Sequence, residues 1–189
     1  VPYIELVGTH GRADLLLIAP ATSNTIAKIA MGIDDTTVAT FAQNALGAGI
    51  PIMIAPAMHE TMYANPIIAT HIRTLEKLGV EFVAPKLEEE KAKLADLEEI
   101  VARVIRRLGT RELGGKRVVV VAGATAEPID DIRIVTNRST GETGMELAKA
   151  AFEKAADVEL WLGRHQSPAP HYIPAKTFET TADLAAMAE

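Results

Sequence analysis

The chain has no cysteine. That excludes disulfides and a thiol nucleophile within it, and it is compatible with a reducing, cytoplasmic setting. No apolar run reaches the roughly 18 residues of a membrane span, and no signal-peptide pattern opens the sequence. No run of basic residues stands out and the net charge is -6, so neither a membrane nor a nucleic acid is an expected partner. His10, His165 and His171 show no metal-ligand spacing with one another or with carboxylates, so no metal-ligating residues are expected. The GxGxxG fingerprint of a dinucleotide fold is also missing. What remains is 189 residues, 48% hydrophobic and 23% charged. That composition suits one globular domain or two small ones.

Short, continuous apolar runs mark strands buried on both faces of a parallel sheet. The strand candidates, most of them such runs, are ADLLLIAP (13–20), IPIMIAP (50–56), VEFVAP (80–85), RVVVVA (117–122), DVELWLG (157–163) and AKTFET (175–180). Helical patterns lie between them. SNTIAKIAMG has Ser23 and Asn24 as N-cap candidates, and PIIATHIRTLEKLG has Pro66 at an N1 position. DLEEIVARVIRRLG ends on Arg106 and Arg107, which suits the helix dipole. MELAKAAFEKAA and the final TADLAAMAE also read as helices. The alternation predicts an α/β fold of two doubly wound parallel-sheet units, flavodoxin- or Rossmann-like and both incomplete. The polar, glycine-rich stretch GTRELGGK (109–116) marks the boundary. The expected division is 1–110, a linker at 111–116, and 117–189. Both ends read as cut, so the chain is expected to be a piece of a longer protein.

Sites in such folds sit beyond the carboxyl ends of strands. In the first unit, APATSNT (19–25) and APAMHETMYANP (55–66) occupy such positions. GIDDTTVAT (32–40) reads as a further polar loop, with Asp34 and Asp35 as turn and capping residues, and LEEEK (87–91) as a solvated face. In the second unit, GATAEPIDDIRIVTNRSTGETG (123–144) links a strand to a helix start. Backbone N–H groups at such a helix start hold phosphate or another anion. The stretch also carries Asp130, Asp131, Arg133, Asn137, Arg138, Ser139 and Thr140, more polar chemistry than a connector needs.

These motifs resemble a known family. APATSNT is similar to the PASANT motif of flavin-dependent cysteine decarboxylases, and APAMHETMY to their PxMNxxMW motif. The 123–144 stretch is similar to the AGGTxEPIDxVRxIxNxSSGKMG signature of phosphopantothenate–cysteine ligases. Their order resembles that of the bifunctional enzymes of coenzyme A synthesis, with archaeal features in GIDDTTVAT and PAMH. The resemblance implies FMN as cofactor of the first half, with Ala21, Thr22 and Ser23 beside it and Asn24, Met58 and His59 as catalytic residues. For the second half it implies CTP with Mg2+ as co-substrate. There Gly123, Thr125, Asp130, Ser139, Thr140, Gly141 and Gly144 would bind it, and Arg133 and Asn137 would be catalytic. The implied substrates are 4'-phosphopantothenate and cysteine, joined to 4'-phosphopantothenoylcysteine, which is then decarboxylated to 4'-phosphopantetheine. A homo-oligomer is implied too, trimeric through the flavoprotein half and dimeric through the ligase half, in the cytoplasm.

The chain also departs from the family pattern. Tyr3 stands where family members carry a catalytic histidine, and tyrosine, with a reference pKa near 10, is a poor substitute for imidazole. LEEEKAKLAD (87–96) occupies the flap region where the bacterial branch has a cysteine. His59 replaces asparagine in PxMN, and Glu142 and Thr143 replace lysine and methionine in SSGKMG. Two alternatives therefore stay open: a flavin-binding partner or regulatory protein without turnover, and a nucleotide-dependent enzyme that shares only the sheet.

Overall fold

The computed structural model describes residues 2–8 and 10–189, and of residues 2–4 the backbone only. The Tyr3 side chain therefore lies outside the described residues. Contacts divide the chain into two units, Val1–Val101 and Ala102–Glu189, each with its own core.

The first unit runs α1 (Pro2–Val7), β1 (Leu16–Ala21), α2 (Ser23–Met31), α3 (Thr37–Ala48) and β2 (Ile52–Pro56). It continues with β3 (Met58–His59), α4 (Glu60–Tyr63), α5 (Pro66–Lys77), β4 (Glu81–Phe82), β5 (Lys86–Glu88) and β6 (Lys91–Lys93). β1, β2 and β4 form a parallel sheet with β2 in the middle. Every residue of β2 is buried, as its unbroken apolar run requires. Ile18, Ile52 and Ile54 meet Ile26, Ile29, Ala42, Ala45 and Leu75 of the helices in the core. Pro66 sits in the first turn of α5, and the Asn65 side chain caps it by accepting from the Ile67 amide at 2.9 Å.

Three expectations for this unit are corrected. The cap of α2 is Thr22, whose hydroxyl accepts from the Thr25 amide at 3.3 Å; Ser23 and Asn24 lie inside the helix. The polar loop expected at 32–40 ends in a helix, because α3 starts at Thr37 behind a Thr36 cap. Its buried face is made of Ala39, Ala42 and Ala45, side chains too small to give a strong apolar period. Asp34 and Asp35 do not cap it: Asp34 accepts from the Thr40 hydroxyl, and Asp35 pairs with Lys28 at 2.8 Å. The charged stretch from Leu87 to Lys91 is exposed throughout, as expected of a solvated face, and it folds as part of an antiparallel hairpin. β6 pairs with β5 on one side and with β3 on the other. Glu89 and Glu90, at φ 51° and 59°, supply the two positive-φ positions that a tight hairpin turn requires.

The division falls within α6 (Leu97–Leu108). The second unit follows with β7 (Arg117–Ala122), β8 (Ala126–Pro128), β9 (Ile134–Thr136), α7 (Glu142–Glu153), β10 (Asp157–Leu162), β11 (Ala175–Thr177) and α8 (Thr181–Ala188). β7, β10 and β11 form a parallel sheet with β10 central. Val158, Leu160 and Leu162 pack on Met145, Ala148 and Ala151 of α7. The 123–144 stretch is not one loop: β8 and β9 form an antiparallel ribbon within it. α7 begins at Glu142, ahead of the apolar pattern that starts at Met145. Leu113 packs against the second core, and its amide donates to the Lys154 carbonyl at 3.0 Å.

The other face of this second sheet carries a charge ladder. Glu159 of β10 pairs with Arg117 of β7 at 3.3 Å and with Lys176 of β11 at 2.5 Å, and Trp161 Nε1 donates to it at 3.0 Å. The Lys176 hydrogen bond, then the Trp161 and Arg117 hydrogen bonds, hold the carboxyl at about 2, below its ordinary 4.5. The folded protein thus keeps this proton off where the unfolded chain has already taken one up. The stability gained is present above the ordinary carboxylate value and is lost as pH falls through about 2. Urea midpoints measured across that interval should fall less steeply in Glu159→Gln than in the wild type, and equal slopes would show that the ladder contributes nothing.

Candidate functional sites

In the first unit two loops meet beyond the parallel strands. β1 pairs with β2 up to Ala21 opposite Pro56, and the Ala57 amide then donates to the Ala21 carbonyl at 2.9 Å. This bond holds the start of α2 against the segment that becomes β3. Ala21 is fully buried and fixes the strand end. Thr22 is spent on capping. Ser23 is only 7% exposed, yet among the described residues its hydroxyl has no hydrogen-bond partner, and neither does the exposed Asn24 amide. Met58 packs half-buried on the first core and His59 projects exposed beside it. The loop that carries Thr22, Ser23 and Asn24 and the segment that carries Met58 and His59 therefore leave adjacent strand ends. A free, solvent-reachable hydroxyl on Ser23, a free carboxamide and the first-turn amides of α2 make a donor set suited to a polar, anionic group such as a flavin nucleotide.

In the second unit the predicted residues do not fall in one place. Ser139, Thr140, Gly141 and Gly144 lie at the start of α7. Gly141 is its N-cap at φ 76°, and Thr140 Oγ1 accepts from the Glu142 amide at 3.4 Å. Glu142 is exposed in the first turn, where the dipole favours a negative charge. Gly123, at φ 89°, turns the chain out of β7 against the Arg164 carbonyl. Asp130 and Arg133 lie at the far end of the β8–β9 ribbon. Asp130 Oδ2 accepts from Arg133 Nε at 2.7 Å, and Asp130 Oδ1 takes the Ile132 and Arg133 amides at 3.1 and 2.8 Å. The Arg133 and Ile132 bonds lower the Asp130 pKa, the Arg133 side chain most. These two residues therefore close a turn with each other. Thr125 and Asn137 flank the ribbon at its root, where Thr136 Oγ1 donates to the Thr125 carbonyl at 2.7 Å.

His165 was not singled out as a site residue by its sequence position. Its Nδ1 lies 2.7 Å from the Gly163 carbonyl, and its Cβ lies 3.0 Å from where a Cβ on Gly141 would sit. The Thr140 carbonyl accepts from the Gln166 and Ser167 amides, both at 3.1 Å. The loop after β10 thus walls the start of α7, a placement no local motif announces. Among the described residues, no cluster of three or more His, Asp and Glu side chains is placed to hold a metal ion.

Residues 2–109 match the family model for flavoproteins. The chain belongs to the flavoprotein family. Residues 113–189 match the model for the DNA/pantothenate metabolism flavoprotein C-terminal domain. Its relatives in that family include the coenzyme A biosynthesis bifunctional protein CoaBC of Thermococcus kodakarensis, 53% identical over 92% of this chain and 42% of the relative. The CoaBC of Methanocaldococcus jannaschii is 41% identical over 90% of this chain and 42% of the relative. The chain thus spans less than half the length of these bifunctional relatives. Among solved structures, a PPC decarboxylase mutant complexed with pantothenoylaminoethenethiol is 32% identical over 55% of this chain and 58% of that one, with a TM-score of 0.49.

Proposed function

We propose that the chain is part of a bifunctional enzyme of coenzyme A synthesis. Its first part carries the FMN-dependent decarboxylation of 4'-phosphopantothenoylcysteine to 4'-phosphopantetheine. Its part from residue 117 onward carries the CTP- and Mg2+-dependent joining of 4'-phosphopantothenate to cysteine. The observation that supports this reading is the Ala57-to-Ala21 hydrogen bond, which ties the segment leading into Met58 and His59 to the strand end that precedes Ser23 and Asn24, in a chain of the flavoprotein family.

Bound flavin would supply the two-electron oxidation and re-reduction of the cysteine moiety on either side of CO2 loss. The protein's own part is orientation. The Ser23 hydroxyl and the 21–23 backbone hold the cofactor's polar edge, Asn24 donates to the substrate, and Met58 supplies an apolar wall that keeps water out. His59 presents an imidazole able to hold or release a proton at the same place. In the second half, the amides and hydroxyls of residues 139–144, with Gly123 and Thr125, receive phosphate oxygens. The Asn137 carboxamide donates to the oxyanion that forms when the carboxylate is activated. Arg133, held by Asp130, keeps a fixed cation near the ribbon. The apolar face of that ribbon pairs two copies into a dimer, and the flavoprotein half adds trimeric contacts. A cytoplasmic setting follows from these substrates.

The test supplies 4'-phosphopantothenate, cysteine and CTP and follows CMP and pyrophosphate, then supplies FMN and follows CO2 from 4'-phosphopantothenoylcysteine. Asn137→Ala should lower CMP release by roughly 100-fold, the loss typical of one oxyanion donor, and leave flavin retention unchanged. Asn24→Ala should lower CO2 release and leave CMP release unchanged. A chain that retains no flavin and releases no pyrophosphate under these conditions would overturn the reading.

A further inference from the structure

Lys91 stands out among the charged residues of the β5–β6 hairpin. Its neighbours on the hairpin are paired: Lys93 with Glu88 at 3.3 Å and Glu89 at 2.9 Å, and Lys86 with Asp96. Among the described residues Lys91 has no ion pair and no side-chain hydrogen bond. Its register partners are His59 on β3 and Glu88 on β5, and the Glu88 carboxylate is already drawn to Lys93. Residues directly opposite across an antiparallel pair have Cβ atoms about 4.5–5.5 Å apart, so the Lys91 ammonium and the His59 imidazole are close enough to donate to one anion. The imidazole and the ammonium are both exposed. The same strand places Met58 against the first core and, through Ala57, against the start of α2. There the helix dipole adds further positive potential. This local excess of donors stands in a chain whose net charge is -6.

The geometry points to Lys91 as a specificity-determining residue that, with His59, receives an oxyanion of the substrate: a carboxylate or a phosphate. The inference rests on the decarboxylase reading above and adds to it a contact made by the hairpin. The shared chemistry is an ammonium and an imidazole N–H facing a singly or doubly charged oxyanion.

Two probes separate the sources. 4'-Phosphopantetheine carries the phosphate without the carboxylate, and pantothenoylcysteine carries the carboxylate without the phosphate. Their dissociation constants would be measured by calorimetry on the flavin-loaded chain. Lys91→Gln should weaken one of the two by about tenfold, in keeping with the loss of a charge-assisted hydrogen bond, and should leave the other unchanged. The affected probe identifies the oxyanion. Lys91→Arg should recover most of the loss. Lys93→Gln, which removes a lysine already paired within the hairpin, should bind both probes as the wild type does. If the wild type binds the probes and Lys91→Gln binds them equally well, the Lys91 assignment falls and the decarboxylase reading stands. If the wild type binds neither probe, the substrate reading itself falls, and this inference with it.

Discussion

Gly144→Ala is expected to destabilise the second unit by about 3 kcal/mol, at the upper end of what overpacking usually costs, or to prevent its folding. Gly144 lies in the first turns of α7, where that helix crosses β7. A Cβ there would sit 2.4 Å from Ala122 Cβ and 3.2 Å from Ala122 Cα. Ordinary carbon contacts are about 3.5–4.0 Å, so α7 or β7 would have to retreat by roughly 1 Å. Neither can do so cheaply. Ala122 is buried and paired in register with Leu162, and Met145, next to Gly144, is fixed in the core. Intrinsic propensity pushes the other way: alanine in a helix interior is favoured over glycine by about 1 kcal/mol. The sign of the change is therefore diagnostic. Gly47 provides the contrast, because it lies inside α3 with nothing within 4 Å of its would-be Cβ. Gly47→Ala should raise stability by up to about 1 kcal/mol. Denaturant midpoints of both variants decide the matter. If Gly144→Ala is as stable as the wild type, the close approach of α7 to β7 is wrong. So then is the placement of residues 139–144 as a cradle built on that approach.

Much of this fold was legible in the sequence, for identifiable reasons. β2 is buried at every residue and shows the unbroken apolar run of a strand covered on both faces; β7 shows the same run although Val119 and Val121 are exposed, and β10 alternates buried Val158, Leu160 and Leu162 with charged or half-exposed neighbours. α5 announces itself by Pro66, whose missing N–H and fixed φ suit a helix start. Elements whose chemistry lies below that contrast were not legible. α3 buries only alanines, so its period is weak. The strands of the β5–β6 hairpin and of the β8–β9 ribbon are too short to show alternation, and the tight turn between β5 and β6 uses Glu89 and Glu90 where asparagine or glycine would have signalled it. The candidate sites divide in the same way. Motifs located Ser23, Asn24, Met58, His59 and the start of α7, because those residues are close together in sequence. They could not disclose that Asp130 and Arg133 occupy each other, that His165 walls Gly141, or that Lys91 lies opposite His59. The last two are a contact and a register between segments distant in the chain, and the first depends on the turn that closes the β8–β9 ribbon.

Ile132→Asp is expected to convert a dimer into a monomer. The β8–β9 ribbon exposes Ile132 at 92%, Val135 at 61%, Ile129 at 60% and Ile134 at 40%. An isolated two-stranded ribbon is marginal in water, and a contiguous apolar patch of this kind marks an interface. The ribbon is nonetheless held at both ends. Its turn is closed by the Ile129 amide donating to the Arg133 carbonyl at 2.8 Å, and its root by the Ala126 amide donating to the Glu179 carbonyl at 2.7 Å. Glu127 adds a contact with the Thr181 amide and hydroxyl, each at 2.7 Å. Exposed apolar side chains on a ribbon held at both ends suit an isologous contact, in which the same patch serves both copies about a twofold axis. In the single chain an aspartate at position 132 stays in solvent and should change stability by no more than about 0.5 kcal/mol. In the dimer it would be an unpaired buried charge costing about 3–5 kcal/mol, enough to weaken association by at least roughly 100-fold. Sedimentation of wild type and variant at matched concentrations reads this directly, with circular dichroism as the check that the variant folds. Ile132→Ser should give an intermediate shift, because it removes apolar area without burying a charge. The ribbon also carries Arg133, and Asn137 follows it, so pyrophosphate release should fall together with association. A variant that sediments as the wild type does would assign the apolar face to some other role, and a monomeric variant with full ligase turnover would separate that face from the chemistry.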